Sequence, residues 1–155
     1  MTASVDPAAL RQARQEAGLT QGQVARALGL AGGEAVSVWE RGAFEPNSAA
    51  LLHRLADVLG VAVPELLRCD EGEFDLRYLR LVAGLESADV AGQLHVALST
   101  YRRWERGAWN RPPSDAVVAG LAKAFKVTND VVSGAFVHTK KLGVRHQGGP
   151  AVPKG

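Results

Sequence analysis

Apolar residues in the first part of the chain recur at the spacing of a helix. Leu10, Ala13 and Ala17 lie three or four positions apart, and similar spacing continues through the segments that follow. This periodicity is typical of amphipathic helices that bury one face. No segment alternates convincingly between apolar and polar residues at a period of two. The pattern therefore predicts an all-α fold.

Start signals divide this region into five short helices. Asp6 is a cap followed by a proline at the first helical position. Thr20 caps a second helix, and Gln23 three positions later completes a capping-box pattern. A third helix ends at the glycine of the tetrapeptide WERG. Ser48 caps a leucine-rich fourth helix, and Pro64 opens a last short one.

The chain is an internal repeat. The tetrapeptide WERG occurs at 39–42 and again at 104–107, and residues 11–30 align with 77–96 at a constant offset of 66. The offset drops to 65 at WERG, so the first copy holds one extra residue, placed at its Gly32-Gly33 pair. The offset returns to 66 after WERG, which is a second insertion of one residue. Single-residue changes at turns are what a duplicated domain tolerates. We therefore expect the second copy to repeat the same five helices.

The repeat and the local composition suggest four segments. The first domain covers 1–69, a polar linker covers 70–74 and the second domain covers 75–136. Residues 137–155 are rich in Gly and Pro and carry four Lys or Arg without an acid, which predicts a flexible basic tail. Such a tail adds non-specific DNA affinity or serves only solubility.

Composition indicates a folded cytoplasmic protein. Hydrophobic residues make up 46% of the chain and charged residues 22%, which supports a packed core. No apolar run approaches the length of a membrane span, and the N-terminal residues have no signal-peptide pattern, so no membrane partner is expected. Cys69 is the single cysteine, which suits a reducing compartment.

The two halves carry opposite charge. Residues 1–74 hold six Arg and ten acids, a net charge of −4, whereas residues 75–155 hold twelve Lys or Arg and six acids, a net charge of +6. Such asymmetry suggests a nucleic-acid partner for the basic half. The alternative is a solvated charge pattern with no partner.

The motifs of both copies resemble one known family. The first copy reads GLTQGQVARALGL, VSVWERG and EPNSAALLHRLADVLGVAVPELL in order, and the second reads GLESADVAGQLHVALSTYRRWERG and RPPSDAVVAGLAKAFKVTNDVV. These segments are similar to the Cro/C1-type (XRE, lambda-repressor-like) helix-turn-helix family, over roughly 8–68 and, more loosely, 75–134. The resemblance implies two tandem five-helix domains, each with a second helix against the DNA backbone and a third in the major groove.

The resemblance also implies a function. It points to sequence-specific double-stranded DNA binding by a transcriptional regulator, a repressor before an activator, of bacterial, phage or plasmid type. Family members commonly dimerise, so a homodimer on an inverted or direct repeat is expected. The alternative is an antitoxin-like or antagonist module that uses the same fold to bind a protein partner through its first domain.

The resemblance implies four groove-facing residues in the second copy, which we expect to contact bases. They are Leu98, Ser99, Thr100 and Arg103. Arg103 is the leading candidate, because a guanidinium group grips guanine O6 and N7 with two hydrogen bonds. The expected DNA-backbone contacts of this copy are Ser87, Arg102, Arg106, Asn110 and Arg111. For Ser87, plain capping of its helix is an equal alternative.

The first copy departs from this pattern at the same positions. They read Gly33, Glu34, Ala35 and Val38, which leaves weak readout by Glu34 and Val38 at most. Backbone contacts remain expected from Gln21, Arg41 and Asn47. The sequence thus predicts weak DNA binding or a protein-contact surface here, while a tandem reader that uses both copies stays open.

Other notable residues have structural roles. In the family the arginine of helix one pairs with the glutamate of ERG, which here gives Arg14 with Glu40 and Arg80 with Glu105. The tryptophans of the two WERG segments are expected in the cores. Trp109 is expected in an exposed loop, against a sugar-phosphate or a partner domain.

Enzyme and metal functions find no support in the sequence. The four histidines share no metal-ligand spacing with one another or with Cys69. The sequence contains no glycine-rich phosphate loop and no motif around a serine or cysteine nucleophile. We therefore expect no catalysis, no cofactor and no bound metal.

Overall fold

The computed structural model describes residues 3–69 and 74–147, with side chains up to residue 141. These residues form nine α-helices, which are in chain order α1 Pro7–Glu16, α2 Gln21–Ala27, α3 Glu34–Glu40, α4 Ala49–Leu59, α5 Leu76–Ala83, α6 Ser87–Leu94, α7 Leu98–Glu105, α8 Asp115–Phe125 and α9 Asn129–Gln147. A 3₁₀ helix, Val63–Leu66, follows α4. Each copy therefore has five helical segments, and the predicted helical fold is confirmed.

A short strand pair supplements the helices of the first copy. β1 (Ser4–Val5) pairs antiparallel with β2 (Leu67–Arg68), with Ser4 opposite Arg68 and Val5 opposite Leu67. The sequence did not predict this pair, because two-residue strands are too short to show an alternating pattern. The pair ties the first and last described segments of that copy together.

The predicted caps of the first copy are in place. Asp6 accepts a hydrogen bond from the backbone N–H of Ala8 at 3.0 Å. Thr20 Oγ1 accepts from the N–H of Gln23 at 3.1 Å, and Gln23 Oε1 accepts from the N–H of Thr20 at 2.8 Å. This is the reciprocal bonding of a capping box. Ser48 caps α4 through the N–H of Leu51 at 3.0 Å.

Hydrogen bonds stabilise the ionised form of the Asp6 side chain, which caps α1. Burial alone raises the pKa of this carboxyl, but the Arg68 side chain and the N–H groups of Ala9 and Ala8 together lower the pKa below its usual value. The carboxylate lies 2.9 Å from Arg68 Nη2. The cap and the strand pair are therefore linked by one ion pair.

The core of the first copy lies between the apolar faces of its helices. It is built from buried aliphatic side chains of all its helical segments and from Trp39 of WERG, which is buried as predicted. Its largest fully buried members are Leu10, Val24, Val36, Leu52, Leu55 and Leu66. Within a helix the buried residues, such as Leu10 and Ala13 or Leu52, Leu55 and Leu59, have the three- and four-residue spacing from which the helices were predicted.

The second copy has its own core around α7 and α9. Tyr101 of α7 is fully buried, as are Val90 of α6, Leu121 of α8 and Val132 of α9. Phe136 of α9 is also buried. Aromatic side chains therefore fill a larger share of this core than of the first.

The chain divides into two compact units, and α5 contributes to both. One unit contains Ala3–Arg68 and Arg80–Glu86, and among the described residues the other contains Cys69, 74–79 and 87–147. Leu81 belongs to the core cluster of the first unit and Val82 packs against that cluster, which explains why the end of α5 groups there. The second domain was expected to start at residue 75, directly before α5. The division between the two units falls within α5, after Leu79. The linker residues 70–73 lie outside the described residues.

The last helix runs further than the sequence predicts. Residues 137–147, which were assigned to the flexible tail, continue α9 to Gln147. The reason is burial at helical spacing, because Val132, Ala135, Phe136 and Thr139 all face the core. The rest of the expected tail, 148–155, lies outside the described residues. Within the described segments, no helix, including this one of 19 residues, is apolar enough over a sufficient length to cross a membrane.

The residue that caps the C-terminus of the fourth helix differs between the two copies, and this difference predicts a change in stability. α4 ends at Gly60 with φ +70°, whereas α8 ends at Lys126 with φ +57°. A left-handed backbone costs a non-glycine residue about 1–2 kcal/mol, and glycine loses part of that advantage through its freedom in the unfolded chain. Lys126→Gly should therefore raise the free energy of unfolding by about 0.5–1 kcal/mol, as measured by urea denaturation.

The reverse change in the first copy is the control for this prediction. A side chain at Gly60 meets no atom within 4 Å, so Gly60→Lys imposes backbone strain without a clash. It should lower the free energy of unfolding by about 1 kcal/mol. A change of the same sign and size in the free energy of unfolding of both variants would contradict the prediction.

Candidate nucleic-acid interface

The third helix of the second copy is anchored by aromatic side chains. Tyr101 and Trp104 of α7 meet edge to face, with ring centroids 6.2 Å apart and an interplanar angle of 85°. Trp104 also meets Phe136 of α9 edge to face, at 6.0 Å and 68°. Edge-to-face pairs are favourable beyond their buried area. The inner face of α7 is thus fixed on the domain.

A three-residue turn joins α6 to α7. It begins at His95, whose φ of +56° places a non-glycine residue in the left-handed region. The equivalent residue of the first copy is Gly29, with φ +75°. Ala97 precedes α7, and no side chain of the described residues caps that helix end. This tight turn positions α7 directly after α6.

The outer face of α7 carries a row of polar and basic side chains, which we call the arginine face. At about 100° per residue, Ser99, Arg103 and Arg106 share one side of the helix, with Thr100 beside them. Ser99, Arg103 and Arg106 are exposed, and Thr100 is half-buried. Arg102 is also exposed, about a quarter turn away from Arg103.

Among the described residues, the guanidinium groups of the arginine face have no carboxylate partner. Within residues 74–141, no ion pair involves the side chains of Arg102, Arg103, Arg106 or Arg111. Arg111 and Asn110 are exposed in the segment that follows α7. Ser87 opens α6, as predicted, and is half-buried. The second copy thus presents four unpaired arginines on and just after one helix.

Leu98 differs from the other predicted reading residues. It is the first residue of α7 and is half-buried, and its position on the helical wheel is more than a third of a turn from Arg103. The structure therefore brings Ser99, Thr100 and Arg103 together and places Leu98 at the margin of this group. A thymine-methyl contact by Leu98 stays a prediction.

The loop after α7 is more ordered than the sequence predicts. The Trp109 ring meets Phe136 edge to face at 5.8 Å and 80°, so Trp109 is half-buried and not exposed. The ammonium group of Lys140 lies 4.9 Å from the centroid of the Trp109 ring and donates a hydrogen bond to the Trp109 carbonyl oxygen. Lys140, expected in a flexible tail, thus holds the loop that carries Asn110 and Arg111.

The equivalent helix of the first copy has a different surface. Glu34 and Val38 occupy the positions of Ser99 and Arg103. The Glu34 side chain is 86% exposed, and its Oε1 lies 3.7 Å from Arg41 Nη2. The one arginine that remains from the arginine face therefore has a carboxylate neighbour. Val38 is half-buried and offers no hydrogen bond to a base.

The turn before α3 is longer than its counterpart. Six residues, 28–33, separate α2 from α3, whereas three separate α6 from α7. Gly33 lies where α3 approaches the start of α2, and a Cβ there would come within 3.1 Å of the Gly22 nitrogen and 3.4 Å of Gln21 Cβ. Gln21 opens α2 and is half-buried, while Asn47 is exposed before α4.

The predicted arginine–glutamate pair of the first copy is present and buried. Arg14 Nε and Nη2 donate to the two carboxylate oxygens of Glu40 at 2.7 and 2.9 Å, and Arg14 Nη1 donates to the Leu19 carbonyl at 2.9 Å. The hydrogen bond to Glu40 raises the pKa of the Arg14 guanidinium further above its usual value. This pair joins α1 to α3. In the second copy Arg80 is buried and donates to the Leu85 carbonyl at 3.0 Å, and its pairing with Glu105 stays a prediction.

The order of the helices and the exposed face of α7 define a class of protein. In both copies a pair of helices joined by a turn is followed by an amphipathic helix, which is the architecture of a helix-turn-helix DNA-binding domain. The family model for the helix-turn-helix domain matches the chain twice, over residues 8–68 and 75–133. The chain therefore belongs to this helix-turn-helix family, which is related to the Cro/C1 type, and contains two copies of its domain.

Comparisons with curated proteins and with solved structures gave no significant match to this chain. The matched ranges agree with the two copies of the repeat within a few residues. Helix-turn-helix domains use DNA as their partner, so the family indicates DNA binding for this chain.

Proposed function

We propose that this protein is a sequence-specific double-stranded DNA-binding regulator that reads the major groove with α7 of its second copy. The observation that supports this most strongly is the arginine face, because it combines a fixed inner side with exposed basic groups that make no ion pair within residues 74–141. A regulator that binds over a promoter represses transcription, and we propose that this protein is a repressor. We also propose a cytoplasmic location, as expected for a regulator of bacterial, phage or plasmid type.

Each side chain of the face has a proposed role. Arg103 hydrogen-bonds the O6 and N7 of a guanine, and Ser99 and Thr100 bond a neighbouring base or phosphate. The groups around them neutralise or bond phosphates, which sets the register of the helix without reading sequence. These are Ser87, Arg102, Arg106, Asn110 and Arg111.

Arg103→Ala tests the base-reading role. The variant should lose about 1–3 kcal/mol of binding free energy on a duplex obtained by in-vitro selection and much less on a random duplex, because phosphate contacts are the same for both. Fluorescence anisotropy with both duplexes at one salt concentration measures the difference.

The matched control removes one charge elsewhere on the same copy. Lys123 is exposed on α8, and Lys123→Ala should change binding to both duplexes slightly and equally. An equal loss on the selected and random duplexes for Arg103→Ala would reduce Arg103 to a phosphate contact.

We further propose that the first copy contributes little base reading. Glu34 repels phosphate unless a cytosine amino group lies opposite, and it also lies beside Arg41. Backbone contacts by Gln21, Arg41 and Asn47 remain part of the proposal, as does binding of the chain as a homodimer to a repeated site.

A protein partner for the first copy is the second candidate function. Phe44, just after WERG, is 73% exposed, and a shallow surface groove beside it is lined by Pro7, Ala43 and Glu45 among others. Aromatic side chains are enriched at protein-contact surfaces, so an exposed phenylalanine is a feature of such a surface. The salt series described in the Discussion separates this candidate from DNA binding.

A further inference from the structure

The aromatic residue that follows WERG has different surroundings in the two copies. Trp109 and Phe44 occupy equivalent positions, two residues after the glycine of WERG. The loops that carry them begin alike, because the N–H of the preceding alanine donates to the carbonyl five residues back in both copies, at 3.1 and 3.2 Å. Phe44 is nevertheless 73% exposed, whereas Trp109 is half-buried. The exposure therefore differs because of what packs on the Trp109 ring.

Two side chains of α9 hold Trp109. Phe136 and Lys140 are four residues apart and so lie on the same side of the helix. The Phe136 ring meets the Trp109 ring edge to face. The Lys140 ammonium lies 4.9 Å from the centroid of that ring and also donates a hydrogen bond to the Trp109 carbonyl oxygen. Lys140 therefore contacts both the side chain and the backbone of Trp109, and we call these three residues the tryptophan clamp.

The helix that supplies the clamp is itself fixed at this point. Thr139 is buried, and its hydroxyl accepts from the Leu76 N–H at 3.0 Å and donates to the Ala135 carbonyl at 2.7 Å. Lys140 is half-buried, and no ion pair involves it among residues 3–69 and 74–141. The ring face and the carbonyl oxygen thus stabilise its charge in place of a carboxylate.

The clamp lies directly before the polar part of the loop. Asn110 and Arg111 are exposed. They stand where the first copy has only Glu45, because the second copy has one residue more between WERG and the next proline. Pro112 restricts the backbone of Arg111 to extended conformations. The arginine is therefore presented from a segment that is restricted on both sides.

We propose that Lys140 is a positioning residue for DNA binding, which acts through Trp109 to hold Arg111 where it bonds a phosphate. This inference rests on the proposed function, in which Arg111 is a backbone contact. A loop that is ordered before binding loses less conformational entropy on binding, so the clamp strengthens the complex without touching DNA. The first copy has an exposed ring and an acid at this place, so the clamp accompanies the copy that carries the arginine face.

Fluorescence anisotropy of the full chain on the selected and the random duplex tests this role. Lys140→Met keeps the apolar stem of the side chain and should weaken binding about three- to tenfold on both duplexes, because phosphate contacts carry no sequence information. Lys140→Arg should bind within about twofold of wild type, since a guanidinium group also stacks on an indole ring and donates to a carbonyl.

The neighbouring lysine is the matched control. Lys141 is exposed and lies about 100° around α9 from Lys140. Lys141→Met removes the same charge and should weaken binding less than about twofold, because an exposed charge without a contact is largely screened. Equal losses for Lys140→Met and Lys141→Met would show an effect of net charge and would overturn the positioning role.

A double-mutant cycle separates positioning from a direct DNA contact or a loss of stability. In a chain that already carries Arg111→Ala, Lys140→Met should weaken binding less than about twofold, since the arginine that it positions is gone. A direct contact of Lys140, or a role in stability alone, would give the same loss with and without Arg111.

The outcomes distinguish this inference from the proposed function. Additive losses in the cycle, or no recovery in Lys140→Arg, would overturn the positioning role while DNA binding by the wild-type chain stands. No DNA binding by the wild-type chain would contradict the proposed function itself, and the positioning role with it.

Discussion

Raising the salt concentration from 50 to 200 mM is expected to weaken DNA binding by the full chain about 10²–10³-fold. Four exposed arginines are the proposed phosphate contacts, and each phosphate that is neutralised contributes about −0.9 to the slope of log K against log salt. They are Arg102, Arg106 and Arg111 of the second copy and Arg41 of the first. The expected slope is therefore about −3.6.

Fluorescence anisotropy at four or more salt concentrations, on a selected and a random duplex, measures this slope. Arg102→Ala should reduce its magnitude by about 0.9, because one phosphate contact is lost. Asp115→Asn serves as the control, since this exposed carboxylate begins α8 and is not a proposed contact. Binding that does not depend on salt, or no binding below about 100 μM, would favour the protein-partner function.

The second large effect concerns stability. Arg14→Ala should lower the free energy of unfolding of the first copy by about 3–5 kcal/mol, because it leaves the Glu40 carboxylate buried without its partner. The Glu40 side chain is 3% exposed and that of Arg14 13%, so water cannot replace the lost hydrogen bonds. Urea denaturation followed by circular dichroism measures the loss.

A neighbouring arginine provides the matched control. Arg11 lies on the same helix, its Nε is 3.8 Å from Glu40 Oε1, and its side chain is 65% exposed. Exposed pairs of this kind contribute about 0–1 kcal/mol, so Arg11→Ala should change the stability little. If Arg14→Ala costs no more than Arg11→Ala, the buried pair does not hold α1 to α3.

Much of the fold could be predicted because local signals act over a few residues. The capping residues Asp6, Thr20 and Ser48 form the hydrogen bonds that their positions predict. The repeat then predicted the same order of helices for the second copy. The residues of the arginine face followed from the family resemblance, whose groove-facing positions include Ser99 and Arg103, and helical spacing places Arg106 on the same side.

The differences arise where contacts distant in sequence decide the structure. The glycines and prolines near the C-terminus suggested a tail from residue 137, whereas burial of Thr139, which accepts a hydrogen bond from the Leu76 N–H at 3.0 Å, continues the helix. Trp109 looks exposed from its polar neighbours, but Phe136 and Lys140 reach it from α9.

The two copies illustrate how a duplicated domain diverges. The core positions and the helix-one arginine are kept, since Arg14 and Arg80 make the same bond to the carbonyl of the residue five positions on. The surface of the third helix is not kept, because Arg102 and Arg103 correspond to Ser37 and Val38. In the proposed function, packing of the core and DNA reading therefore use separate faces of the third helix.

Backbone-amide NMR of the full chain, titrated with a selected duplex, tests the central assignment most directly. Amide signals of α7, residues 98–105, should shift or broaden with bound DNA, while those of α3, residues 34–40, should change much less. If the α3 signals respond and the α7 signals do not, DNA is read by the copy that lacks the arginines, and the assignment is wrong.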